Sequence, residues 1–479
     1  MPKSSVPGTA SEGHSQEAVS AASSAPSAVA STAPGFRPLL GHSWQLVRDP
    51  LGWLDKCRQA GPVLRVKLGP RAAYLVTDPD LVHRVLTDPA FEKGGPLMDA
   101  ARDLLGNGLA TCWREDHRRQ RPLMQPAFTL PRIAGYAEVM REEAAQLTAT
   151  WTPHRETDLI DDLSSATLRV MIRAMLPTAD AEAAGKVAQQ VRILLDGALL
   201  RAAVPFPFLF RLPTPGNRRF DRARRDTFAA ADRIVATARA KPDASGLLSA
   251  LITSDGSAPD GSDAFTDEDL RDQVMTLLSA GGDTTATTLA WAFHLLATHP
   301  EAERRLHEEL DTVLDGAIAG PDDLPRLPFT RNVVSETLRL YPPVWMMSRI
   351  TIADVDLEGC RLPADTEVFF SSYQLHHDPR HFPDPEAFDP DRWDRREPGD
   401  RHSFIPFHSG SRKCMGNTFA LTEAAIMLSA VASVWRFRPT PRHDARPRPP
   451  RSMTPADVHL VPEPRPGRLS ETRGIHAGR

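Results

Sequence analysis

One long helical segment constrains the fold of this 479-residue chain more than any other feature. Good helix formers run from about residue 266 to residue 299, which gives a helix on the order of 50 Å long. Residues 266–269 resemble a capping box with Asp in place of Glu, and Pro300 ends the segment. This is the longest helix that the sequence predicts.

Helical periodicity dominates the rest of the middle of the chain as well. Further helices are predicted at 138–151, 162–176, 181–201, 220–240 and 419–435. Shorter β-branched segments predict strands at 63–68, 73–77, 349–352, 367–370 and 458–461. The predicted fold class is therefore mainly α with a small segregated β region, in a single large domain.

The two ends of the chain differ in composition from its middle. Residues 1–34 are rich in Ser, Ala, Pro and Gly, and such a segment buries too little apolar surface to offset the entropy of ordering. We predict a disordered leader at 1–34, a folded domain at 35–465 and a loose tail at 466–479. No run of about 18 apolar residues occurs, so neither a membrane anchor nor a secretory signal is predicted.

Charge and cysteine spacing exclude several classes of function. Lys and Arg number 57 against 61 Asp and Glu, so a net charge of -4 offers no basic field for nucleic acid. The four cysteines, Cys57, Cys112, Cys360 and Cys414, lie far apart and form no Cys-x-x-Cys pair. This spacing argues against a zinc site and against a disulfide framework, and it favours a reducing, cytoplasmic setting.

Cys414 lies in the most informative run of the chain, residues 407–416, Phe-His-Ser-Gly-Ser-Arg-Lys-Cys-Met-Gly. The two glycines allow a tight turn and a close approach of the backbone to a flat group, and Arg412 can pair with a carboxylate. The helix predicted after Cys414 has unpaired N–H groups at its start, which favour a negative sulfur. The alternative is a buried free cysteine before a core helix.

The pattern Phe-x-x-Gly-x-Arg-x-Cys-x-Gly resembles the signature of the cytochrome P450 haem-thiolate family, in its soluble bacterial form. The resemblance implies that family's fold, a heme b (iron protoporphyrin IX) with axial thiolate, and monooxygenase activity. It implies cofactor contacts from His117, Arg121, Arg349, Phe407, Gly410, Arg412, Cys414 and Gly416, with Cys414 as the metal ligand. Trp113 competes with His117 as an anchor, and a solvated basic helix face is the alternative for that stretch. His408 departs from the pattern, because the family usually carries a small residue there.

The long helix carries a second motif in its middle. Gly281 and Gly282 cost about 1 kcal/mol each relative to alanine, so something is expected to approach the backbone closely. The resemblance implies that this stretch passes over the open face of the haem, and that Asp283 and Thr284 are the catalytic pair that delivers protons to bound dioxygen. The alternative is a Thr284 hydroxyl bonded back to its own helix and an Asp283 paired with a surface cation.

Glu336 and Arg339 share a helix face, and Arg392 follows in an Asp-Pro-Asp-Arg-Trp run. The resemblance implies that these three residues form a structural cluster behind the cysteine loop that supports haem incorporation. The alternative is a solvated ion pair of little energetic value.

Apolar side chains are predicted to line the substrate pocket. They are Leu97, Met98, Leu278, Ala280, Val344, Trp345, Met346 and Met347. Such a pocket favours an apolar substrate held by shape, although ordinary core packing is the alternative for the Trp and Met residues. The resemblance to terpene-oxidising bacterial members implies hydroxylation of a cyclic terpene, specifically a sesquiterpene, in secondary metabolite biosynthesis. Fatty acids, macrolides and steroids are the other options.

Electrons are expected from a separate ferredoxin or flavodoxin-type protein with its own reductase. Arg114, Arg118, Arg119 and Lys413 predict a docking patch for such an acidic carrier, on a chain expected to be a monomer. Two other functions stay open. A non-catalytic haem sensor would not need Asp283 and Thr284, and a peroxide-using or isomerising haem-thiolate enzyme would usually alter that pair.

Overall fold

The computed structural model describes residues 30–69, 71–179, 210–253, 264–395, 402–448, 452–456 and 458–466, with isolated residues between 187 and 197. Its helices are α1 (Ser43–Arg48), α2 (Pro50–Ala60), α3 (Pro79–Thr87), α4 (Pro96–Leu105), α5 (Arg114–Met124), α6 (Leu130–Thr150), α7 (Leu159–Met175), α8 (Pro215–Ala240), α9 (Leu247–Ile252), α10 (Asp267–Thr298), α11 (Pro300–Leu314), α12 (Pro328–Leu340), α13 (Ser372–His376), α14 (Arg392–Arg395) and α15 (Asn417–Val434). Short 3-10 helices lie at Gln125–Phe128, Leu324–Arg326 and Gly410–Arg412.

The strands form one larger sheet and three small ones. They are β1 (Ser31–Thr32), β2 (Val63–Leu68), β3 (Arg71–Val76), β4 (Phe91–Glu92), β5 (Thr157–Asp158), β6 (Met347–Thr351), β7 (Val355–Leu357), β8 (Cys360–Leu362), β9 (Glu367–Phe370), β10 (Trp435–Pro439), β11 (Arg446–Arg448), β12 (Ser452–Ala456) and β13 (His459–Pro464). The larger sheet has the order β1-β2-β3-β9-β6-β4, and the others are β10-β13-β5, β11-β12 and β7-β8. The prediction of a mainly helical protein with minor β structure is confirmed.

Helix α10 organises the helical part of the molecule, where it packs against α7, α8, α12 and α15. The predicted capping box starts it: the Asp269 N–H donates to the Thr266 hydroxyl at 3.1 Å, and the Thr266 N–H donates to the Asp269 carboxylate at 3.1 Å. The helix ends at Thr298, two residues before the proline predicted to end it, and Pro300 itself begins the next helix. The long helix is thus fixed at both ends by local signals.

Several predicted boundaries differ from those observed. Helix α6 starts at Leu130 and not at 138, because Pro131 occupies the first turn, where the missing N–H costs nothing. Ser31 and Thr32 form β1 beside β2, so ordered structure begins inside the segment predicted as a leader. Residues 1–29 and 467–479, and most of the helix predicted at 181–201, lie outside the described residues.

Helix α15 is, among the described helices, the one long and apolar enough to cross a membrane by composition, with a mean hydropathy of 1.3 over 18 residues. Within the protein, 67% of that stretch is buried. Ile426, Leu428 and Val431 are fully buried, and the helix packs mainly against α6. Its apolar character is therefore explained by its place in the core.

Candidate active site

The cysteine loop leads directly into α15. Cys414 is exposed, whereas Cys57, Cys112 and Cys360 are buried. The Cys414 N–H donates to the Phe407 carbonyl at 3.0 Å, and the Lys413 N–H donates to the Gly410 carbonyl at 3.1 Å. These two bonds close the loop on itself and present the sulfur at the start of the helix.

The surroundings of the Cys414 sulfur act on its pKa in opposite directions. Burial raises the pKa of the thiol, while a hydrogen bond from the Gly416 N–H and the cations Lys93, Arg121 and Lys413 lower it. The Cys414 side chain is exposed, and the protein around it still removes part of the hydration that would stabilise the thiolate. Nearby cations favour the thiolate that an iron ligand requires.

The loop before the sulfur lies directly on α3. A Cβ added at Gly410, whose φ is +72°, would lie 2.0 Å from the Leu86 carbonyl oxygen, so only glycine fits there. His408 also has a left-handed backbone, with φ of +57°. Its ring packs edge-on against Phe370 at 5.8 Å, and burial lowers the pKa of His408 to about 3. The departure from the family pattern thus places a neutral ring beside the cysteine loop.

Arg412 is bound by the protein's own groups. Its Nε and Nη2 donate to one Glu92 oxygen at 3.0 and 2.6 Å, and its Nη1 donates to the Cys112 carbonyl at 3.1 Å. The resemblance implies that Arg412 pairs with a propionate; in the structure Glu92 and Cys112 use three of its five N–H donors, and two remain. Glu92 was missed by the sequence analysis, since only the pairing of β4 with β6 brings it here.

Lys93 was missed for the same reason. Burial lowers the pKa of the Lys93 amine to about 7, with further lowering by Arg349 and Arg412. Arg349 is nearly as enclosed: burial and then Arg412 lower its pKa to about 10. The Arg349 guanidinium donates to the Ser348 carbonyl at 2.9 Å and lies 5.7 Å from the ring of Phe370. These cations therefore share a buried region of positive potential.

Helix α5 adds two more groups to this region. His117 is buried, and its pKa falls to about 3 through burial first and then through Arg412, Arg121 and Lys93. Arg121 donates from Nη1 to the Lys413 carbonyl at 3.0 Å, which joins α5 to the cysteine loop. Trp113, the competing anchor, is 42% exposed and lies beneath the Arg102 guanidinium at 4.7 Å.

These residues fit the haem that the resemblance implies. Burial, and after it the neighbouring cations, lower the pKa values of Lys93, Arg349 and His117. Glu92 is the carboxylate that contacts Arg412 there. A group carrying two carboxylates would relieve that repulsion. The same region contains the sulfur that would bind iron.

The glycine pair of α10 is explained by helix packing. A Cβ at Gly281 would lie 2.2 Å from Met171 Cε, and one at Gly282 would lie 2.4 Å from Leu168 Cγ. The Thr167 hydroxyl donates to the Gly282 carbonyl at 2.9 Å. The predicted close approach to the backbone therefore comes from α7, which lies against this face of the long helix.

Asp283 and Thr284 follow on the next positions of α10, and both are half-buried. The Thr284 hydroxyl donates to the Ala280 carbonyl at 2.8 Å, and the Thr288 hydroxyl donates to the Thr284 carbonyl at 2.9 Å. The bond back to the helix, considered as an alternative from the sequence, is therefore present. It leaves the oxygen of Thr284 able to accept a further hydrogen bond.

The Glu336 carboxylate binds both predicted arginines. Arg339 donates to it at 2.8 and 2.9 Å with both side chains fully buried, and Arg392 Nε lies 3.4 Å from it. Trp393 Nε1 adds a fourth donor at 3.1 Å. The alternative of a solvated pair is wrong, because neither Glu336 nor Arg339 contacts solvent.

A histidine connects this cluster to the cysteine loop. Arg339 Nη1 donates to the His376 carbonyl at 3.0 Å, and the His376 Nε2 atom accepts from the Ile405 N–H at 3.0 Å. Ile405 in turn accepts, through its carbonyl, the His408 N–H at 3.0 Å. The cluster thus fixes the backbone that precedes Cys414.

The residues predicted to line the substrate pocket differ in solvent exposure. Leu278 is fully buried in the helical core, which corrects its assignment, because a side chain with no accessible surface lines no cavity. Trp345 is 6% exposed and packs with Trp53 and Leu75, which favours the core-packing alternative. Val344 and Ala280 are exposed, Met346 and Met347 are half-buried, and Met98 is buried. The side chain of Leu97 lies outside the described residues.

The predicted docking patch is reduced in extent. Arg118 and Lys413 are exposed, whereas Arg119 Nη2 forms an ion pair with Asp269 at 2.6 Å. Arg114 donates to the Pro89 carbonyl at 3.2 Å. Arg118 and Lys413 are therefore the members of the patch that are most accessible to a docking protein.

Glu423 of α15 is a further buried acid that the sequence analysis missed. Burial raises its pKa to about 8, opposed by the nearby Thr285 hydroxyl. Its oxygens nevertheless lack a well-formed hydrogen bond among the described residues, so the contact to Thr285 is a weak one. In the sequence, only the polarity of Glu423 among apolar neighbours distinguished it, and that alone did not indicate a functional residue.

Comparison with known proteins agrees with this arrangement. The family model described as Cytochrome P450 matches residues 32–466. Cyclooctat-9-en-7-ol 5-monooxygenase of Streptomyces melanosporofaciens is 43% identical over 415 residues, covering 86% of this chain and 90% of the relative. Pentalenene oxygenase of Streptomyces avermitilis is 42% identical over 426 residues, covering 88% and 94%. The crystal structure of the cytochrome P450DA heme domain superposes with a TM-score of 0.82 at 23% identity, covering 91% of this chain and 98% of that one.

Proposed function

The chain belongs to the cytochrome P450 family, and we propose that it is a haem-thiolate monooxygenase that hydroxylates a cyclic terpene. The accessible Cys414 sulfur before the start of α15, with the half-buried cations Lys93 and Arg121 and the exposed Lys413 near it, is the observation that carries the proposal. The terpene class is supported by the relatives, whose names give cyclooctat-9-en-7-ol and pentalenene as their compounds. A sesquiterpene is the more specific proposal.

The residues of this chain would hold the cofactor as a heme b. Cys414 would bind the iron through its sulfur, and Arg349, Lys93 and His117 would supply positive charge and hydrogen-bond donors to the propionates. The Glu336 cluster keeps the loop in place through His376. When bound, the haem supplies the site at which dioxygen is activated by two electrons.

Asp283 and Thr284 are the proposed proton-delivery pair. The reaction puts one oxygen atom into the product and releases the other as water, which requires two protons. Thr284 can accept a hydrogen bond while its own proton is held by the Ala280 carbonyl, and Asp283 can exchange protons with solvent from a half-buried position.

The electrons are proposed to come from a ferredoxin or flavodoxin-type protein with a separate reductase. Arg118 and Lys413 lie on the cysteine side of the molecule and offer positive charge to an acidic carrier. A cytoplasmic monomer is consistent with the three buried, unpaired cysteines.

Incubation with a surrogate ferredoxin system, a panel of cyclic terpenes and isotopically labelled dioxygen tests the proposal. The expected product is a terpene alcohol carrying one labelled oxygen atom. An alcohol whose added oxygen is unlabelled, formed only when unlabelled hydrogen peroxide is supplied, would favour the peroxide-using alternative, and haem binding without turnover of terpenes, fatty acids, macrolides or steroids would favour a sensor.

A further inference from the structure

Trp291 of α10 joins two separate segments of the chain. The indole is fully buried and stacks on the ring of Tyr341, with centroids 3.6 Å apart and planes 10° from parallel. Its Nε1 donates to the Met453 carbonyl at 2.6 Å. One side chain therefore fastens both the residue that ends α12 and the strand β12 to the long helix.

The bond to Met453 belongs to a row of three contacts along one helix face. Thr287, four residues before Trp291, forms a hydroxyl–hydroxyl hydrogen bond with Thr454 at 3.0 Å. His294, three residues after Trp291, lies 2.8 Å from His443 between Nδ1 and Nε2. Spacings of three and four place all three side chains on the same helix face, where Thr287 and Trp291 bind β12 of the β11–β12 hairpin and His294 contacts the segment just before β11.

The contact to Tyr341 fixes the other segment. The Tyr341 N–H ends α12 by donating to the Thr337 carbonyl at 2.8 Å, and the chain then runs through Val344 to β6. Met453 and Trp345 pack in one buried cluster, with Tyr341 and Met346 against it. The hairpin and the 341–347 segment are therefore in contact with each other as well as with the indole.

The 341–347 segment leads into β6, which carries Arg349, and β12 contacts α10 one turn away from Asp283. Arg349, eight residues after Tyr341, belongs to the buried cations that surround the Cys414 region. Thr287, which binds the hairpin, lies one helical turn after Asp283. A shift of about 1 Å in either segment is enough to change which atom of a substrate faces the reacting oxygen.

We propose that Trp291 is a positioning residue that selects the carbon to be hydroxylated. Its indole is fully buried, and it acts by holding the 341–347 segment through ring stacking and β12 through its N–H donor. The proposal rests on the proposed function, because its chemical consequence is the position of the new hydroxyl group.

The variant Trp291→Phe separates the two contacts, since phenylalanine keeps a ring to stack on Tyr341 and lacks the N–H donor. The chain offers a matched control in Trp435, which is also buried and donates from Nε1 to the Thr148 carbonyl at 2.9 Å. Trp435→Phe removes the same kind of bond between α6 and β10. Both variants should lower the melting temperature by a few degrees, roughly equally.

Hydrogen exchange tests whether Trp291 holds β12 and the 341–347 segment, and it needs no substrate. In Trp291→Phe, amides of residues 452–456 should exchange about tenfold faster while those of 341–347 keep their protection, and in Trp435→Phe both segments should behave as in the wild type. Unchanged exchange at 452–456 in Trp291→Phe would refute the claim that the Trp291 N–H holds β12.

The product ratio tests its role in selecting the carbon. Trp291→Phe should spread hydroxylation over additional positions of the same terpene, while Trp435→Phe should keep the wild-type ratio. A wild-type ratio in Trp291→Phe, or an equal change in Trp435→Phe, would overturn the assignment. Failure of the wild type to hydroxylate any terpene would instead count against the proposed function, and the exchange result would stand on its own.

Discussion

Arg412 of the cysteine loop donates two hydrogen bonds to a single carboxylate oxygen of Glu92, at 3.0 and 2.6 Å. Both side chains are almost fully buried, with 6% and 10% of their surface exposed. The loop is therefore anchored to β4 by a charge that the protein itself provides, in a region where the neighbouring side chains are mostly cations.

Replacing Glu92 by Gln should lower the free energy of unfolding of the haem-free protein by about 3–5 kcal/mol, because Arg412 is left buried without an anion. Haem binding should recover part of the loss, since its carboxylates bring negative charge to the same region. Denaturant unfolding with and without haem measures both effects. Glu301→Gln, in an exposed ion pair with Arg304, is the control and should change little; equal losses in the two variants would contradict the account.

Thr284→Ala should keep the haem spectrum and substrate binding while most of the electrons supplied appear as hydrogen peroxide. The reason is that the residue's oxygen organises the protons on which product formation depends. Product formed per NADPH consumed is the measurement. Thr298→Ala removes the same kind of bond back to α10, at 2.9 Å to the His294 carbonyl, and should remain coupled. Full coupling in Thr284→Ala would remove the residue from the relay.

Reversing the charge at Arg118 should slow reduction by a ferredoxin about tenfold at low salt. The difference should shrink as ionic strength rises, because exposed charges are screened over about 10 Å at 0.1 M salt. Stopped-flow measurement of the first electron transfer gives the rate. Arg222→Glu, an exposed cation on α8, makes the same charge change elsewhere. A salt-independent defect, or the same defect in both variants, would show that Arg118 does not dock the carrier.

Glu423→Gln should flatten the pH dependence of stability. Burial raises the pKa of Glu423 from 4.5 to about 8, so between these values the folded protein holds a proton that the unfolded chain has released. The free energy of unfolding should therefore fall with rising pH across this window, by at most about 1.4 kcal/mol per pH unit from this group. Urea unfolding at pH 5, 6, 7 and 8 compares the two slopes; parallel curves would contradict the assignment.

Capping residues, prolines and β-branched runs in the sequence predicted the bounds of some helices and strands. The capping box at Thr266 and the proline at 300 gave the ends of α10 within one residue, and the alternating β-branched run gave β2 at its observed bounds. The start of α6 was missed although Pro131 in the first turn and helical spacing from Ile133 through Tyr136 to Met140 mark it. Local signals of this kind locate a boundary only when the residues before the most regular part of a helix are included.

The candidate site was predictable only where one motif carried it. Cys414 and the Glu336–Arg339 pair were found because their partners lie within a few residues or belong to one pattern. Lys93 reaches the site through strand pairing across more than 250 residues of chain, so no spacing in the sequence indicated it. Leu278 was wrongly assigned to the substrate pocket because several faces of α10 are apolar in sequence. Only the structure shows that the face carrying Leu278 packs into the helical core.

The spectrum of the reduced carbon monoxide adduct tests the central claim, that the Cys414 thiolate binds haem iron, most directly. The haem-loaded protein should show the red-shifted absorption band that an axial thiolate imposes, and Cys414→Ser should lose it while Cys360→Ala, which changes a buried cysteine in β8, retains it. A wild-type adduct without that band, or an unchanged band in Cys414→Ser, would contradict the account.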